Sequence, residues 1–547
     1  VKGLADYRAQ VNFPNPWPGG WWRPKDILEY GLIASNSALE TVAKHRQDIL
    51  WGRARMARDV MSASGVDRPR NFVIPPDQHD LTNAADLIDV LRMHGLEAFQ
   101  TLEPKEQEGF SLPQGSVLFS TRQPYANLLI ELMEPHDYPE VRIGSESRAT
   151  HEPYDVTAWC LPLMMGTNVI SLDGPLRVRK REVTGNTWDF LGWSSETTTR
   201  EDSWYALSPK ATANFHAVFR FLQQRTSVQQ IVHPMRAPTG AMGSPKVWPA
   251  GTFLVRGGSA IDAVIQETQA VVSKVDLEPA ETLETVSTST APERRTVALP
   301  RLGLYQSWVA STDEGWTRLM LDRFEVPYAI LQNQEILRGD LQLSYDAILI
   351  PEHTYAQLLH GYRGGPDARY GSRRPSRFSG GLANEGVEAL RQFVLSGGTL
   401  ITLGESCHLP LSKFELPVSR MGGDDPPRNM THGTLLRAEV DTNHPLGFGM
   451  PREAAVFHTA SPVFLTELPV PGRDRSVVMR YPAEGKLVLS GRGKHTQELR
   501  RKAALVEAQY GAGRVVLFGF RPQFRGQTRG SYRLIFNALI EAASSKS

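Results

Sequence analysis

The stretch RLGLYQSWVASTDEGWTRLMLDRFEVPYAIL, residues 301–331, decides the fold predicted for the C-terminal half of this chain. It contains an apolar run at 301–305, helical spacing of apolar residues over 313–324, and a second apolar run at 328–331. A strand, a helix and another strand in this order are typical of a β-α-β unit, in which a helix crosses over a parallel sheet. The stretch therefore predicts a doubly wound α/β domain.

The same alternation continues on both sides of this stretch. Downstream, strands are predicted at 345–350, 399–403, 477–480, 488–490 and 514–520, with helices at 385–395 and 532–542. Upstream, strands are predicted at 71–75, 96–102, 116–121, 154–163, 228–233 and 251–255, with helices at 81–93, 124–133 and 260–272. The predicted fold is thus α/β with two doubly wound, mostly parallel-sheet domains. We expect them to be two versions of one plan, and no short-period repeat is visible.

Composition places the boundaries of these domains. Residues 276–297 are rich in Glu, Pro, Ser and Thr and predict a linker between a domain at 66–275 and another at 298–547. Residues 1–65 hold one loop and one or two helices, with Leu28, Leu32 and other apolar residues near one helical face. We interpret this segment as the end of a domain whose beginning lies upstream, and expect its helix to pack on a neighbouring domain.

Charge and cysteine content exclude several classes of protein. The chain has 547 residues, and its 60 Lys and Arg against 59 Asp and Glu provide no field that attracts nucleic acid or an anionic membrane. Only Cys160 and Cys407 are present, which is too few for a disulfide framework or a cysteine metal site. No apolar stretch is long enough to predict a membrane span.

Several motifs resemble a bacterial subgroup of zinc carboxypeptidases. The first segment, VNFPNPWPGGWWR at 11–23 with DI at 26–27 and EY at 29–30, resembles the last loop and helix of their catalytic domain. The motifs that resemble their linker region are PPDQ at 75–78, QPY at 123–125, PYDVTAW at 153–159 and LP at 161–162. Those similar to their C-terminal domain, which has a class I glutamine amidotransferase fold, are RLGLY at 301–305, DEGWTR at 313–318 and YGAGRVVLFGFRP at 510–522.

The resemblance implies that the full-length protein is a metallocarboxypeptidase and that residues 1–65 are a remnant of its catalytic domain. In that family a His-x-x-Glu motif and a later His bind zinc, while a separate Glu acts as general base. We expect all of them upstream, so zinc is expected in the full-length protein and no cofactor in this chain. The implied role is an accessory region, with the upstream peptidase domain and peptide substrates as partners, in the periplasm or outside the cell.

Two His-x-x-Glu matches do occur in the chain, and both are interpreted as accidental. His94 ends a predicted helix just before a stop glycine, and Glu97 belongs to the strand that follows. His495 and Glu498 lie in a polar run that is typical of a solvated loop or helix start. No metal ligand is therefore predicted in this chain.

A turn in the third region is the one place where a nucleophile is considered. The amidotransferase resemblance implies a nucleophile on a strand-to-helix turn, and the corresponding turn here is LGESCH, residues 403–408. The nucleophile position falls on Ser406, with Cys407 one residue later. Because His408 stands where a small residue is expected, the tight turn is not specified, and a degenerate turn is the preferred interpretation. Catalysis by Ser406 or Cys407, as a hydrolase or amidotransferase, is kept as an alternative.

Acidic residues after the predicted strands suggest a pocket. Asp313 and Glu314 follow the first strand of the third region, and Glu405 follows the strand at 399–403. Open α/β sheets bind ligands at the carboxyl ends of strands, so these residues are candidates for lining a site. Asp313 as a helix N-cap, with Trp316 covering the core, is the alternative. A pocket here would suit a non-catalytic protein that binds a small ligand or peptide.

Overall fold

The computed structural model describes residues 9, 20–62, 69–139, 152–188, 198–237, 246–275, 294–362, 375, 378–423, 431–468 and 474–544. Most of the predicted linker (276–293) and most of the tryptophan-rich loop (11–19) lie outside these residues. The chain divides into two compact units, one of residues 1–65 with 122–124 and one of residues 66–121 with 125–547.

The described helices are α1 (Pro24–Lys44), α2 (Arg46–Ser62), α3 (Leu81–Met93), α4 (Ala126–Met133), α5 (Leu161–Met165), α6 (Thr212–Gln223), α7 (Ser259–Thr268), α8 (Thr312–Arg323), α9 (Asn333–Leu337), α10 (Leu341–Ser344), α11 (Tyr355–His360), α12 (Ala383–Leu395), α13 (His408–Lys413) and α14 (Tyr532–Ser544). None of them is long and apolar enough to cross a membrane. The predicted helices at 81–93, 313–324, 385–395 and 532–542 correspond to α3, α8, α12 and α14.

The strands of residues 66–296 are β1 (Asn71–Ile74), β2 (Phe99–Thr101), β3 (Lys105–Gln107), β4 (Phe110–Leu112), β5 (Val117–Ser120), β6 (Ile170–Leu172), β7 (Lys180–Glu182), β8 (Trp204–Leu207), β9 (Val228–Ile231), β10 (Met235–Ala237), β11 (Lys246–Trp248), β12 (Phe253–Arg256), β13 (Val272–Val275) and β14 (Arg294–Thr296).

The strands that follow are β15 (Leu302–Tyr305), β16 (Tyr328–Leu331), β17 (Ala347–Ile350), β18 (Thr399–Leu403), β19 (Val418–Arg420), β20 (Thr434–Val440), β21 (Glu453–His458), β22 (Phe464–Thr466), β23 (Arg475–Arg480), β24 (Val488–Ser490), β25 (Ala503–Tyr510) and β26 (Gly513–Phe518).

The first unit contains the helices α1 and α2. Helix α1 begins with Pro24 in its first turn, where a missing N–H costs nothing, and Asp26 Oδ2 accepts a hydrogen bond from Arg23 N at 2.7 Å. None of the described side chains of either helix is buried, and Leu28 and Leu32 of the predicted apolar face are exposed. The predicted helix is therefore present, and its packing on a neighbouring domain stays a prediction.

Residues 71–296 contain two antiparallel sheets with helices, and the last strand, β14, lies inside the predicted linker at 276–297. The first has the strand order β6-β1-β5-β2-β7 and the second the order β13-β8-β12-β9-β14. Among the described residues, all neighbouring strands within both sheets pair antiparallel. The prediction of a mostly parallel sheet for this region is wrong. A helix still connects β1 to β2 and β8 to β9, but β5 and β12 insert between those strands, and hydrophobic spacing carries no signal for such an insertion.

The two sheets are copies of one motif. Each runs strand, helix, strand, hairpin, strand, helix, strand, and each ends in a fifth strand beside the second one. On β7, Arg181 donates from Nε and Nη2 to Gln100 Oε1 on β2 at 3.0 and 2.6 Å. On β14, Arg295 makes the same pair of bonds to Gln230 Oε1 on β9 at 3.1 and 2.7 Å. The sequence led us to expect that the second and third regions are two versions of one plan. The structure shows instead a duplication inside the second region.

A second prediction in this region is also wrong. The predicted strand at 154–163 is a loop that leads into the short helix α5. Thr157 N donates to His432 O at 2.8 Å, which shows that the loop binds irregular backbone outside the sheets. Pro153 and Pro162 at its two ends remove backbone donors that a strand would need.

Residues 298–544 are built on one twelve-stranded mixed sheet. Strands β16, β15, β17, β18 and β26 are parallel neighbours in that order, and β25, β23, β20 and β21 continue the sheet in antiparallel pairs. All residues of β15, β17 and β18 are buried, as expected for strands covered by helices on both faces. The prediction of a doubly wound α/β domain is confirmed for its parallel half.

Helix α14 packs into the core of the mixed sheet and is buried along nearly its whole length. Its Asn537 Nδ2 donates to Leu446 O and Phe448 O at 3.1 and 2.9 Å. Phe536 packs its ring against Phe215 of α6, so the core is continuous between the second copy of the motif and the mixed sheet.

Candidate functional site

Four parallel strands end at the same edge of the mixed sheet, so the segments that follow them lie close together. The segments that follow β15, β17, β18 and β26 carry Asp313, Glu352, Glu405 and Arg521, with Asp313 in the first turn of α8. The carboxyl edge of a parallel sheet is where open α/β folds bind their ligands, because the helices that start there leave a crevice. The side chains of Asp313, Glu352, Glu405 and Arg521 together are called the carboxyl cluster.

Arg521 joins two of the carboxyl groups. Its Nη1 donates to Asp313 Oδ2 at 3.2 Å and its Nη2 donates to Glu352 Oε1 at 3.0 Å. The Asp313 side chain is 3% exposed and that of Glu352 13%, so the cluster is almost dry while solvent still reaches Glu352. Asp313 Oδ1 is buried and has no partner among the described residues.

The turn after β18 holds the second oxygen of Glu352. Glu405 N donates to Glu352 Oε2 at 2.7 Å, and the Glu405 side chain itself binds Arg420 at 2.5 Å. Gly404 has φ +57°, and a Cβ at this position would lie 1.7 Å from Glu352 Oε2. Only glycine therefore permits this close approach of the turn to the carboxylate.

Burial shifts the pKa values of the carboxyl groups in the cluster. It raises the pKa of Glu352 to about 7, opposed by the charge of Arg521 and by the hydrogen bond from Glu405 N, while the charges of Asp313 and Glu405 raise it further. It also raises the pKa of Asp313, again opposed by Arg521. Near pH 7 the Glu352 carboxyl is therefore protonated in some molecules and ionised in others. A group in this state can both donate and accept a proton at that pH.

Two histidines lie beside the cluster. Burial and the charge of Arg521 lower the pKa of His458 to about 4, and its Nδ1 lies 2.6 Å from Thr431 Oγ1. Its Nε2 is buried without a partner among the described residues. Burial also lowers the pKa of His353, whose ring nitrogens lie 3.2 Å from the carbonyl oxygens of Pro351 and Val309. Both rings are neutral at pH 7.

Aromatic side chains lie on the loops of the same edge. Trp308, in the loop after β15, meets Phe378 edge to face with ring centroids 5.0 Å apart. The same loop contacts the cluster, because Ser311 Oγ donates to Glu352 O at 2.9 Å. Carboxyl groups and aromatic rings are thus presented by neighbouring loops.

The predicted nucleophiles lie beneath this site, and their polar atoms are occupied. Ser406 Oγ donates to Pro351 O at 2.5 Å and accepts from His353 N at 2.9 Å, and the residue is fully buried. The Cys407 Sγ donates to Thr402 O at 3.3 Å, and burial raises the pKa of its thiol. The His408 ring packs against that of Tyr355 with centroids 4.7 Å apart and ring planes inclined by 38°. This geometry favours a structural role for Ser406 and Cys407.

The predicted pocket residues are separated by the structure into two groups. Asp313 and Glu405 belong to the carboxyl cluster, whereas Glu314 pairs with Arg318 one helical turn later at 2.5 Å. The alternative of Asp313 as an N-cap is wrong, because Ser311 occupies that position and Asp313 lies in the first turn of α8.

The two His-x-x-Glu matches lie far from the cluster in the fold. His94 is the C-cap of α3 and its Nδ1 lies 2.8 Å from Val90 O, in agreement with the predicted helix end. His495 precedes a short 3₁₀ turn, Thr496–Leu499, that contains Glu498. Within the described ranges, no group of three or more His, Cys, Asp or Glu side chains is placed to hold a metal ion.

Sequence reasoning missed Glu352, Arg420, His458 and Arg521. Glu352 follows the predicted strand at 345–350 by two residues, so the rule that selected Asp313 and Glu405 would have found it. The other three follow or end strands that are distant in sequence, and only the order of strands in the sheet brings them together.

Comparisons with known proteins add little to this geometry. No protein-family profile and no curated protein matches the sequence. Similar solved structures include a cytoplasmic protein from Salmonella typhimurium, a ThuA-like protein from Bacteroides uniformis and a glutamine amidotransferase from Thermotoga maritima. Their identities are 15%, 12% and 12%, and their TM-scores are 0.25, 0.27 and 0.27. The matches cover 40%, 46% and 42% of this chain and 87%, 92% and 79% of theirs. TM-scores this low carry no argument, so the α/β assignment rests on strand order and pairing.

Proposed function

We propose that this chain is a non-catalytic accessory region that binds a ligand rich in hydroxyl groups, of the sugar or polyol class, at the carboxyl cluster. The observation that carries the proposal is the convergence of Asp313, Glu352 and Glu405 at the carboxyl edge, where solvent still reaches Glu352 and Glu405, whose side chains are 13% and 19% exposed. Carboxyl oxygens accept hydrogen bonds from ligand hydroxyls, and a hydrogen bond to a charged group contributes about 1.5–3 kcal/mol.

Two further features support this ligand class. Trp308 and Phe378 place aromatic rings on loops of the same edge, and aromatic rings pack against the C–H face of a sugar. Arg521 and Arg420 already bind carboxyl groups of the chain through their Nη atoms, and the three carboxyl groups outnumber the two guanidinium groups, which disfavours an anionic ligand. A neutral ligand that donates hydrogen bonds fits this balance best.

The test is binding of a panel of monosaccharides, disaccharides and polyols, measured by saturation-transfer NMR and calorimetry. We expect saturable binding by the wild-type chain, at least about tenfold weaker in Glu352→Gln and Asp313→Asn and unchanged in Glu439→Gln, since one lost charge-assisted hydrogen bond is worth about 1.5–3 kcal/mol. Glu439 is exposed on β20 and receives the same substitution away from the cluster. Binding that is equal in all four proteins would reject the proposal.

The accessory role beside a zinc carboxypeptidase remains a second proposal, together with the amidotransferase-like assignment of residues 298–547. The structural observation that favours it is the apolar side chains that α1 exposes, among them Leu28, Leu32 and Leu39. A partner domain would cover such residues. Zinc content and hydrolysis of peptides with free carboxyl termini, with and without a chelator, test it, and stoichiometric zinc with chelator-sensitive hydrolysis by this chain alone would contradict it.

A hydrolase or amidotransferase that uses Ser406 or Cys407 is the competing function. Any esterase, peptidase or glutaminase activity found in the chain should be unaffected by Cys407→Ala and Ser406→Ala in folded protein under the accessory proposal. Loss of such activity in either variant, at unchanged thermal stability, would establish the competing function instead.

A further inference from the structure

Strand β21 forms one edge of the mixed sheet. Among the described strands it pairs with β20 alone, in antiparallel register. A strand at the edge of a sheet has one row of backbone N–H and C=O groups that no neighbouring strand pairs. Such a row pairs with another extended chain unless the protein covers it.

One backbone hydrogen bond fixes the direction of these groups in β21. Val440 N donates to Arg452 O at 2.8 Å, in the pair that continues the register of β20 and β21. In an antiparallel ladder, pairs that exchange hydrogen bonds alternate with pairs that do not. Every second residue after Arg452 therefore points its backbone groups off the edge, and these residues are Glu453, Ala455 and Phe457.

The structure closes this edge at both ends and leaves its middle open. Arg521 N donates to Phe457 O at 3.1 Å, so the last outward carbonyl of the strand has a partner. Pro451, the outward residue before the strand, has no N–H. The backbone N–H and C=O groups of Glu453 and Ala455 have no hydrogen-bond partner among the described residues. The open stretch thus runs from 453 to 455.

A cavity of about 310 Å³ borders this open stretch. Glu453, Ala454 and Ala455 all contribute to its lining, together with Leu163 of α5 and Leu489 of β24. Glu453 is exposed and both alanines are partly exposed, so solvent reaches the edge from the cavity. The volume is about ten times that of a water molecule in the liquid, which leaves room for a short extended segment beside β21.

The charges around the cavity are balanced. Arg437 Nη1 lies 3.5 Å from Glu453 Oε2, and Arg533 Nη2 donates to Asp80 Oδ2 at 2.5 Å. Burial lowers the pKa of His79, so its ring is neutral at pH 7. An uncharged segment with apolar side chains therefore complements this lining better than a charged one.

We propose that the open edge of β21 binds an extended peptide segment of a partner protein, with uncharged, apolar side chains. The segment joins the mixed sheet as an added strand and pairs its backbone with Glu453 and Ala455. These two residues lie about 6.6 Å apart along the strand, which is the repeat of any second extended chain. The side chains of the segment pack against Leu163 and Leu489, and the carboxyl cluster takes no part.

The first experiment compares two blocked pentapeptides on the full chain by calorimetry and ligand-observed NMR. One is acetyl-TVAVT-amide, and the other is the same peptide with its three central amides N-methylated. We expect the first to bind saturably and the second to bind at least about tenfold more weakly, because it lacks the donors that pair with the edge. Equal binding of the two peptides, or no saturation by the first up to about 10 mM, would overturn the proposal.

A proline variant tests the edge itself. Ala455→Pro removes an outward N–H and leaves the bonds to β20 in place, and it should weaken binding of acetyl-TVAVT-amide at least about fivefold. Glu182→Pro is the matched control, because Val183 N donates to Ala98 O at 2.9 Å and the Glu182 N–H thus points off the edge strand β7. Circular dichroism checks the fold of both variants. Undiminished binding in folded Ala455→Pro would reject this site.

Hydrogen exchange locates the peptide on the wild-type chain, without any substitution. The amides of Glu453 and Ala455 should exchange more slowly once acetyl-TVAVT-amide is bound, as measured by mass spectrometry with electron-transfer fragmentation. Slow exchange before the peptide is added would show that the edge is already covered, and unchanged exchange in its presence would place the peptide elsewhere. Either result would overturn the proposal. Glu352→Gln should leave peptide binding unchanged, so failure at one site does not affect the conclusion at the other.

Discussion

Solvent reaches the Glu352 carboxyl, and burial raises its pKa. Its folded-state pKa of about 7 lies above the ordinary value of 4.5. Between these two values the folded chain retains a proton that the unfolded chain has released. Stability therefore falls as pH rises through this window, and the loss is complete above the folded pKa.

The first prediction concerns this pH dependence. From pH 4.5 to 7 the Glu352 carboxyl should lower the free energy of unfolding by about 3 kcal/mol, since each pKa unit corresponds to about 1.4 kcal/mol. Glu352→Gln should remove this contribution. The measurement is denaturant unfolding of both proteins at several pH values from 5 to 8. If the two profiles run parallel, Glu352 is already ionised at the lowest pH.

Gly404 gives a second prediction at the residue scale. Gly404→Ala places a Cβ 1.7 Å from Glu352 Oε2 and also imposes φ +57° on alanine. Gly423 is the matched control, because it has φ +60° and no atom within 4 Å of its added Cβ. Both variants carry the backbone cost of about 1 kcal/mol, and only Gly404→Ala should add a larger loss and alter the pH profile of Glu352. Equal destabilisation of the two variants in urea would show that the turn does not press on Glu352.

At the scale of elements, the duplicated motif repeats its turn as well as its strands. Residues 112–120 read LPQGSVLFS and residues 248–256 read WPAGTFLVR. Gly115 N donates to Thr101 O at 2.9 Å, and Gly251 N donates to Ile231 O at 2.8 Å. The glycines have φ +91° and +85°, so both turns require the left-handed backbone.

The two copies should respond differently to the same substitution. An added Cβ at Gly251 meets Phe448 Cβ at 2.5 Å, whereas at Gly115 the nearest atom is Gln100 Nε2 at 3.8 Å. Gly115→Ala should therefore cost about 1 kcal/mol and Gly251→Ala at least about twice that. Thermal and urea unfolding of both variants measure the difference, and identical losses would mean that Phe448 moves aside freely.

Individual elements were the most predictable level of this structure. Helix α3 matches its predicted bounds because Asp80 caps it, Leu87, Ile88 and Leu91 share a face, and Gly95 ends it. The direction of pairing in residues 66–275 was not predictable, because strands buried on both faces have the same composition in parallel and antiparallel sheets.

At the scale of the whole molecule, one buried ion pair joins three parts of the second unit. Asp80 Oδ1 accepts from Thr82 N at 2.9 Å and caps α3, while its Oδ2 accepts from Thr212 N of α6 at 3.0 Å. Arg533 of α14 binds the same Oδ2, and both side chains are 2% exposed. The pair therefore links both copies of the duplicated motif to the terminal helix.

Removing the acidic partner should be strongly destabilising. Asp80→Ala leaves the Arg533 guanidinium buried without a counter-charge, which costs about 3–5 kcal/mol. Arg525→Ala breaks the Arg525–Asp155 pair, whose side chains are 40% and 46% exposed, and should cost less than about 1 kcal/mol. Calorimetric unfolding compares the two variants, and a small loss in Asp80→Ala would mean that water reaches Arg533.

The sequence by itself determined much of the local structure of this protein: its α/β class, most of the longer helices among the described residues, and Asp313 and Glu405 as acidic residues after strands. Hydrophobic spacing and capping residues act over a few positions, and they leave a readable pattern. The tertiary structure decided what those patterns cannot encode. The order of the strands brings Glu352 to Arg521 across 169 positions. It also inserts β5 and β12 into antiparallel sheets and buries the Ser406 hydroxyl in bonds to the neighbouring loop, because pairing over long sequence distances depends on the whole core at once.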